Sequence, residues 1–217
     1  MSTKFHSNAQ LLLTAGPDKN LHLFHVDGHR NPKMQSMTFS DLPIRHADFT
    51  ADGSEVWLCG NRRYFYVYNI EKGTVSKVPG LRGLFTISCS KRRILLGSNS
   101  NRVFTGRPDK KLSTFSSSPD GKLMAFACES GYVSLVSTST KQAIGSVKIS
   151  GSVKRTSFSG DGSELYTYGS DGHVMIWDAR TYRCRDRIID QGCVDGSSIA
   201  VAPRRGVFAT GYATHCP

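Results

Sequence analysis

The sequence predicts an all-β chain built from repeated strand units, and three observations predict it. Four segments share one order of residue types, their strand-length windows alternate apolar and polar residues, and an Asp-Gly pair recurs at the same place in three of them. Composition agrees. Twenty-one glycines against eight prolines, with short apolar runs between them, indicate frequent tight turns rather than long helices.

The repeat segments start at Phe5, Phe49, Phe115 and Phe158. Each passes from an aromatic residue through a short polar turn into an apolar strand, then through a small-residue turn with Gly into a second apolar strand. Their starts lie 44, 66 and 43 residues apart. The first and last intervals fit the roughly 40–45-residue period of a propeller blade, and the middle one carries about 22 further residues. A fifth segment opens at Ile199 and is cut off at Pro217. Blades of this period are four-stranded sheets arranged radially, and rings close with four to eight of them. The expected architecture is therefore a partial β-propeller over residues 1–217, with about four blades and a fragment of a fifth. Such an arc exposes a blade face and strand edges that a closed ring buries, so low solubility is expected of the chain expressed alone.

Alternation of period two is plain in Leu165–Tyr168 and His173–Trp177. The pairs Asp52-Gly53, Asp120-Gly121 and Asp161-Gly162 fall where one strand must turn into the next. Glycine there supplies positive φ, and aspartate bonds its own backbone across the turn.

Charge and cysteine usage narrow the class of function. The chain carries 28 Lys plus Arg against 17 Asp plus Glu, a net charge of +11, which suits anionic partners such as RNA or acidic protein tails. The basic residues come in small groups, Arg62-Arg63, Lys91-Arg92-Arg93, Lys110-Lys111 and Arg204-Arg205, which read equally as a solvated surface. Six cysteines without C-x-x-C spacing indicate neither a zinc site nor a disulfide framework. Nothing resembles a secretory signal or the ~18 apolar residues of a membrane span, so no membrane partner is expected.

The most diagnostic stretch is residues 169–178 (GSDGHVMIWD), a turn Asp-Gly, an alternating strand and then Trp177-Asp178. It resembles the end of a WD repeat, in which the turn aspartate, here Asp171, serves a structural hydrogen-bond network within the blade. Residues 21–28 (LHLFHVDG), 31–36 (NPKMQS), Tyr66-Val67-Tyr68 with Gly73, 118–121 (SPDG), 131–135 (GYVSL), 144–149 (IGSVKI) and Arg183-Cys184 extend the resemblance. Together they resemble a WD-repeat family of the eukaryotic small-subunit processome. That resemblance implies a nucleolar, non-catalytic scaffold supporting pre-rRNA processing and 18S rRNA maturation. The implied partners are other processome proteins, the U-three snoRNP and pre-rRNA, directly or indirectly, with no cofactor and no small-molecule substrate. Members of the family carry a charged N-terminal extension before a complete propeller, and functions of those parts are not expected here. A generic WD-repeat adaptor, such as a ubiquitin-ligase substrate receptor, is the alternative, because a propeller hosts many functions. Residues 81–107 have no counterpart in the family pattern and read as a surface loop or, preferentially, as translated intron sequence.

Candidate chemistry is sparse. His22, His25 and His29 hint at a metal site, but in a strand His22 and His25 point to opposite faces. There is no G-x-S-x-G elbow and no phosphate loop, so neither a catalytic residue nor a metal ligand is assigned. If residues 183–187 are extended, Arg183, Arg185 and Arg187 share one face and suit phosphate, or else guard an outer strand against edge pairing. Tyr64, Tyr66 and Tyr68 form a second row beside Arg62 and Arg63, placed either to stack on exposed bases or to pack an inner strand.

Overall fold

The computed structural model describes residues 2–7, 9–79, 111–128, 130–193, 195–203 and 206–213. Among these, β-strands make four four-stranded antiparallel sheets and one two-stranded sheet. The first sheet holds β1 (Ser2–Phe5), β2 (Leu11–Ala15), β3 (Asn20–His25) and β4 (Lys33–Thr38). The second holds β5 (His46–Phe49), β6 (Glu55–Cys59), β7 (Phe65–Asn69) and β8 (Thr74–Val78). The third holds β9 (Leu112–Ser117), β10 (Leu123–Cys128), β11 (Tyr132–Ser137) and β12 (Ala143–Lys148). The fourth holds β13 (Val153–Phe158), β14 (Glu164–Gly169), β15 (His173–Asp178) and β16 (Cys184–Ile189), and β17 (Asp195–Val201) pairs with β18 (Phe208–Ala213). Ile199, where the fifth segment opens, lies inside β17, as Phe49 lies in β5 and Phe158 in β13. The polar half of β17 carries no apolar signal, and only its pairing with β18 reveals it as strand.

Within each four-stranded sheet the strands lie in chain order. The first strands touch one another in succession, β1 with β5, β5 with β9, β9 with β13 and β13 with β17, and so line the axis of a β-propeller. The last strands β4, β8 and β16 are almost wholly exposed.

Period-two alternation explains why the middle strands are buried on both faces. Val56 and Leu58 of β6 pack towards the first blade with Leu13, Leu21 and Phe49, whereas Trp57 and Cys59 pack towards the third with Phe115 and Phe126. In β14, Leu165 joins Trp177 and Val133 on the side of the third blade, while Tyr166 and Tyr168 meet Ile199, Val201 and Phe208 of the fifth unit. The second, third and fourth blades are therefore each packed against both neighbours, at roughly 1.5–3 kcal/mol per large side chain fully buried.

An antiparallel meander places alternate connections at opposite ends. One rim carries the turns from β5 to β6, β9 to β10 and β13 to β14, and these repeat one design. Asp52, Asp120 and Asp161 accept hydrogen bonds from the backbone two residues on, at Ser54, Lys122 and Ser163. Gly53, Gly121 and Gly162 sit at φ of 75°, 69° and 72°. The turn of one blade rests on that of the next: a Cβ at Gly162 would stand 3.1 Å from Ser118 Oγ. Gly162→Ala is expected to lose about 1–2 kcal/mol through left-handed backbone strain with no relief from its neighbours. Urea unfolding checks this, and an unchanged midpoint would show that the turn relaxes freely.

Candidate functional site

The other rim carries the connections from β2 to β3, β6 to β7, β10 to β11 and β14 to β15, together with the segments that enter β5, β13 and β17. Near the axis on this rim a cavity of about 610 Å³ opens, lined by Arg45, Lys154 and Arg155 among hydroxyl residues that include Ser113, Thr114 and Ser197. Arg45 precedes β5, and its N–H donates to Cys59 O at 2.9 Å. Lys154 and Arg155 are adjacent in β13, where a regular strand would send them to opposite faces. A register shift resolves this. Val153 pairs with Gly169 and Arg155 with Tyr168, leaving Lys154 as the extra residue of a bulge, so both side chains line the cavity. The same device recurs on both sides: Ser113 is the extra residue of β9 and Ser197 that of β17, and both line the cavity.

Local bonds hold these groups. Arg155 Nη1 donates to Thr114 Oγ1 at 2.9 Å, and Lys154 Nζ lies 2.8 Å from Asp195 Oδ1. Ser113 and Ser197 donate to Ala127 O and Gly211 O at 3.0 and 2.9 Å, closing the bulges across each strand pair. The field is felt nearby. Burial, reinforced by the Arg155 and Lys4 cations, pushes the His46 imidazole down to about 4.

Arg62 and Arg63 stand exposed in the β6–β7 connection on this same rim, and Arg62 O accepts from Leu112 N at 3.0 Å, one residue before Ser113. The tyrosine row beside them is not free to stack on bases. Tyr64, Tyr66 and Tyr68 pack against the core between the first two blades. Tyr64 and Tyr66 donate to Asp41 at 2.9 and 2.8 Å, and Tyr68 donates to Gln35 at 2.8 Å. Lys77 Nζ sits 3.9 Å from the centre of the Tyr64 ring and 2.6 Å from Asp41. With the tyrosine hydroxyls it holds the Asp41 carboxyl down at about 2.

Arg183, Arg185 and Arg187 do not form the single row that uninterrupted extension would give. Arg183 precedes β16, and a register shift between Ile176 and Trp177 leaves Arg185 without a cross-strand partner while Arg187 stands opposite Met175. Arg185 is bound to Glu164, which also accepts from Tyr166. The connection that brings the chain into β16 lies at the rim away from Arg62 and Arg63, so the two arginine sets do not share a surface. In the same blade Trp177 Nε1 donates to Thr167 Oγ1 at 2.9 Å across β14 and β15. Asp171 Oδ2 lies 2.8 Å from His173 Nδ1, binding the turn rather than bridging strands, and Asp178 accepts from the N–H groups of Arg180 and Thr181. His22 Nδ1 is hydrogen-bonded to Ser36. Residues 81–107, Lys91-Arg92-Arg93 and Arg204-Arg205 lie outside the described residues.

A model of the WD domain, G-beta repeat, matches residues 142–178, and one described as the anaphase-promoting complex subunit 4 WD40 domain matches residues 83–154. The chain is 40% identical over 97% of its length to a U3 small nucleolar RNA-associated protein 18 homolog of Arabidopsis thaliana, covering 34% of that protein. The homologs of Homo sapiens and Mus musculus are 34% and 33% identical over 95% and 97% of the chain, covering 33% and 34% of their lengths. The chain is a WD-repeat protein similar to these homologs over almost its whole length. It spans about a third of the length of the curated relatives it matches.

In this WD-repeat chain the cationic channel mouth escaped the sequence, because Arg45 and Arg155 are 110 positions apart. One signal was present. Lys154-Arg155 places two cations in succession inside an otherwise alternating strand, the local mark of a bulge.

Proposed function

We propose that this chain acts as a non-catalytic scaffold of the small-subunit processome, in the nucleolus, where it supports pre-rRNA processing and 18S rRNA maturation. The observation that carries this reading is its likeness, over almost its whole length, to proteins named for association with U3 small nucleolar RNA. The fold supports it: a propeller offers two rims and exposed outer strands to partners, and one rim here gathers Arg45, Arg62, Arg63, Lys154 and Arg155. Its partners in this reading are other processome proteins, the U3 snoRNP and pre-rRNA. Among the described residues no group of three or more His, Cys, Asp or Glu gathers to hold a metal ion.

The test is a pull-down of the tagged chain from nuclear extract at mild salt, beside a full-length relative. Recovery of U3 RNA with processome proteins is the expected result. Recovery by the relative alone would assign those contacts to segments outside this chain, and failure of both would favour the generic adaptor.

A further inference from the structure

We propose that the mouth of the propeller channel is a phosphate-binding site for the backbone of single-stranded RNA, built by bulges in three successive inner strands. The proposal rests on the RNA-associated function above and deepens it. Its first support is geometric. The extra residues of β9, β13 and β17, Ser113, Lys154 and Ser197, converge on one cavity because the bulge recurs at the same level of successive inner strands. Bulges re-aim side chains, and the one in β13 turns two consecutive cations into the same space.

The second support is charge. Among the described residues, Asp195 is the sole carboxylate bonded to the three cations of the cavity, and it engages Lys154. The Arg155 guanidinium has the neutral Thr114 hydroxyl as its hydrogen-bond partner, and Arg45 is exposed at the mouth. Two guanidinium groups therefore present unneutralised charge and forked donors, the geometry that suits phosphate oxygens.

The third is the character of the lining, which among the described residues holds no aromatic side chain on which a base would stack. A cavity of about 610 Å³ has room for a phosphodiester link. From there a strand passes to Arg62 and Arg63, whose backbone adjoins the start of β9. A run of regularly spaced negative charges fits that sequence of cations.

The experiment measures binding of a short, fluorescently labelled single-stranded RNA of mixed sequence to the 217-residue chain by anisotropy over a salt series. Arg45→Gln with Arg155→Gln is expected to weaken binding at least about tenfold and to lower the log–log salt slope by about 1.4, since each phosphate contact on a single strand contributes about 0.7. Arg45→Gln alone, which breaks no side-chain hydrogen bond given by the structure, is expected to lower the slope by about 0.7 and guards against a folding defect. Arg183→Gln with Arg187→Gln, away from the cavity, is expected to leave both quantities unchanged.

Equal binding by the wild type and the channel variants overturns the site. So does binding of poly-glutamate, in place of RNA, through the same residues, which would make the occupant an acidic protein segment. If U3 RNA is recovered in the pull-down while the isolated chain has no affinity for the oligonucleotide, the pocket is overturned and the scaffold reading stands.

Discussion

Replacement of Trp57 by alanine is expected to cost about 3–5 kcal/mol of unfolding free energy, the range for removing a large aromatic side chain from a packed core. Trp57 has no exposed surface. Its ring stacks on Phe65 at 5.0 Å with an interplanar angle of 16° and meets Phe126 at 6.0 Å, so it joins the second blade to the third. Its Nε1 donates to Glu55 Oε2 at 3.1 Å, and the other oxygen of Glu55 takes Lys141 from the third blade at 2.9 Å. Truncation empties the ring's place and loosens the carboxylate that ties the same two blades. Trp57→Phe keeps most of the ring and loses the N–H, so it should cost about 1–2 kcal/mol. Urea unfolding followed by circular dichroism separates the two variants. A loss below about 1 kcal/mol for alanine would mean that another contact holds these blades together.

Acid should weaken the fold through His46. Its ring stands edge-on to Phe115 at 4.7 Å. Burial first, then the Arg155 and Lys4 cations, lowers its pKa from 6.5 to about 4. Between those values the unfolded chain binds a proton that the folded chain refuses. The His46 contribution is therefore complete above about pH 6.5 and is lost as the pH falls towards 4, by about 3 kcal/mol in all. Asp48, two residues along β5, works in the opposite sense: burial raises its carboxyl pKa, against the Lys4 ammonium 3.1 Å away, so its protonation favours the folded state. His46→Gln isolates the imidazole. The wild type should lose stability between about pH 6.5 and pH 5, and the variant should lose far less. Parallel decline of the two would place the acid sensitivity elsewhere.

Much of this molecule was legible because its repeat is written in local chemistry. The Asp-Gly pairs at 52, 120 and 161 marked the turns that the structure forms there. Alternation in residues 165–168 and 173–177 marked β14 and β15. The polar start of β17 was not legible, because strand pairing rather than side-chain pattern defines it.

The candidate site divides along the same line. Arg62 and Arg63 were visible as a pair, and their exposure is what an exposed loop imposes. The proposed row of Arg183, Arg185 and Arg187 assumed unbroken alternation, and the register shift beside Trp177 defeats it.

By itself the sequence determined the all-β class, the blade period, the turn chemistry and the excess of positive charge, because each depends on neighbours along the chain. The tertiary structure alone decided which of the described cations meet. Arg45, Lys154 and Arg155 meet only when the inner strands assemble around an axis, and two of them share a cavity only because a single extra residue interrupts the ladder of β13. A bulge is a property of two paired strands, so the adjacent cations of one strand can mark its place but only the pairing forms it.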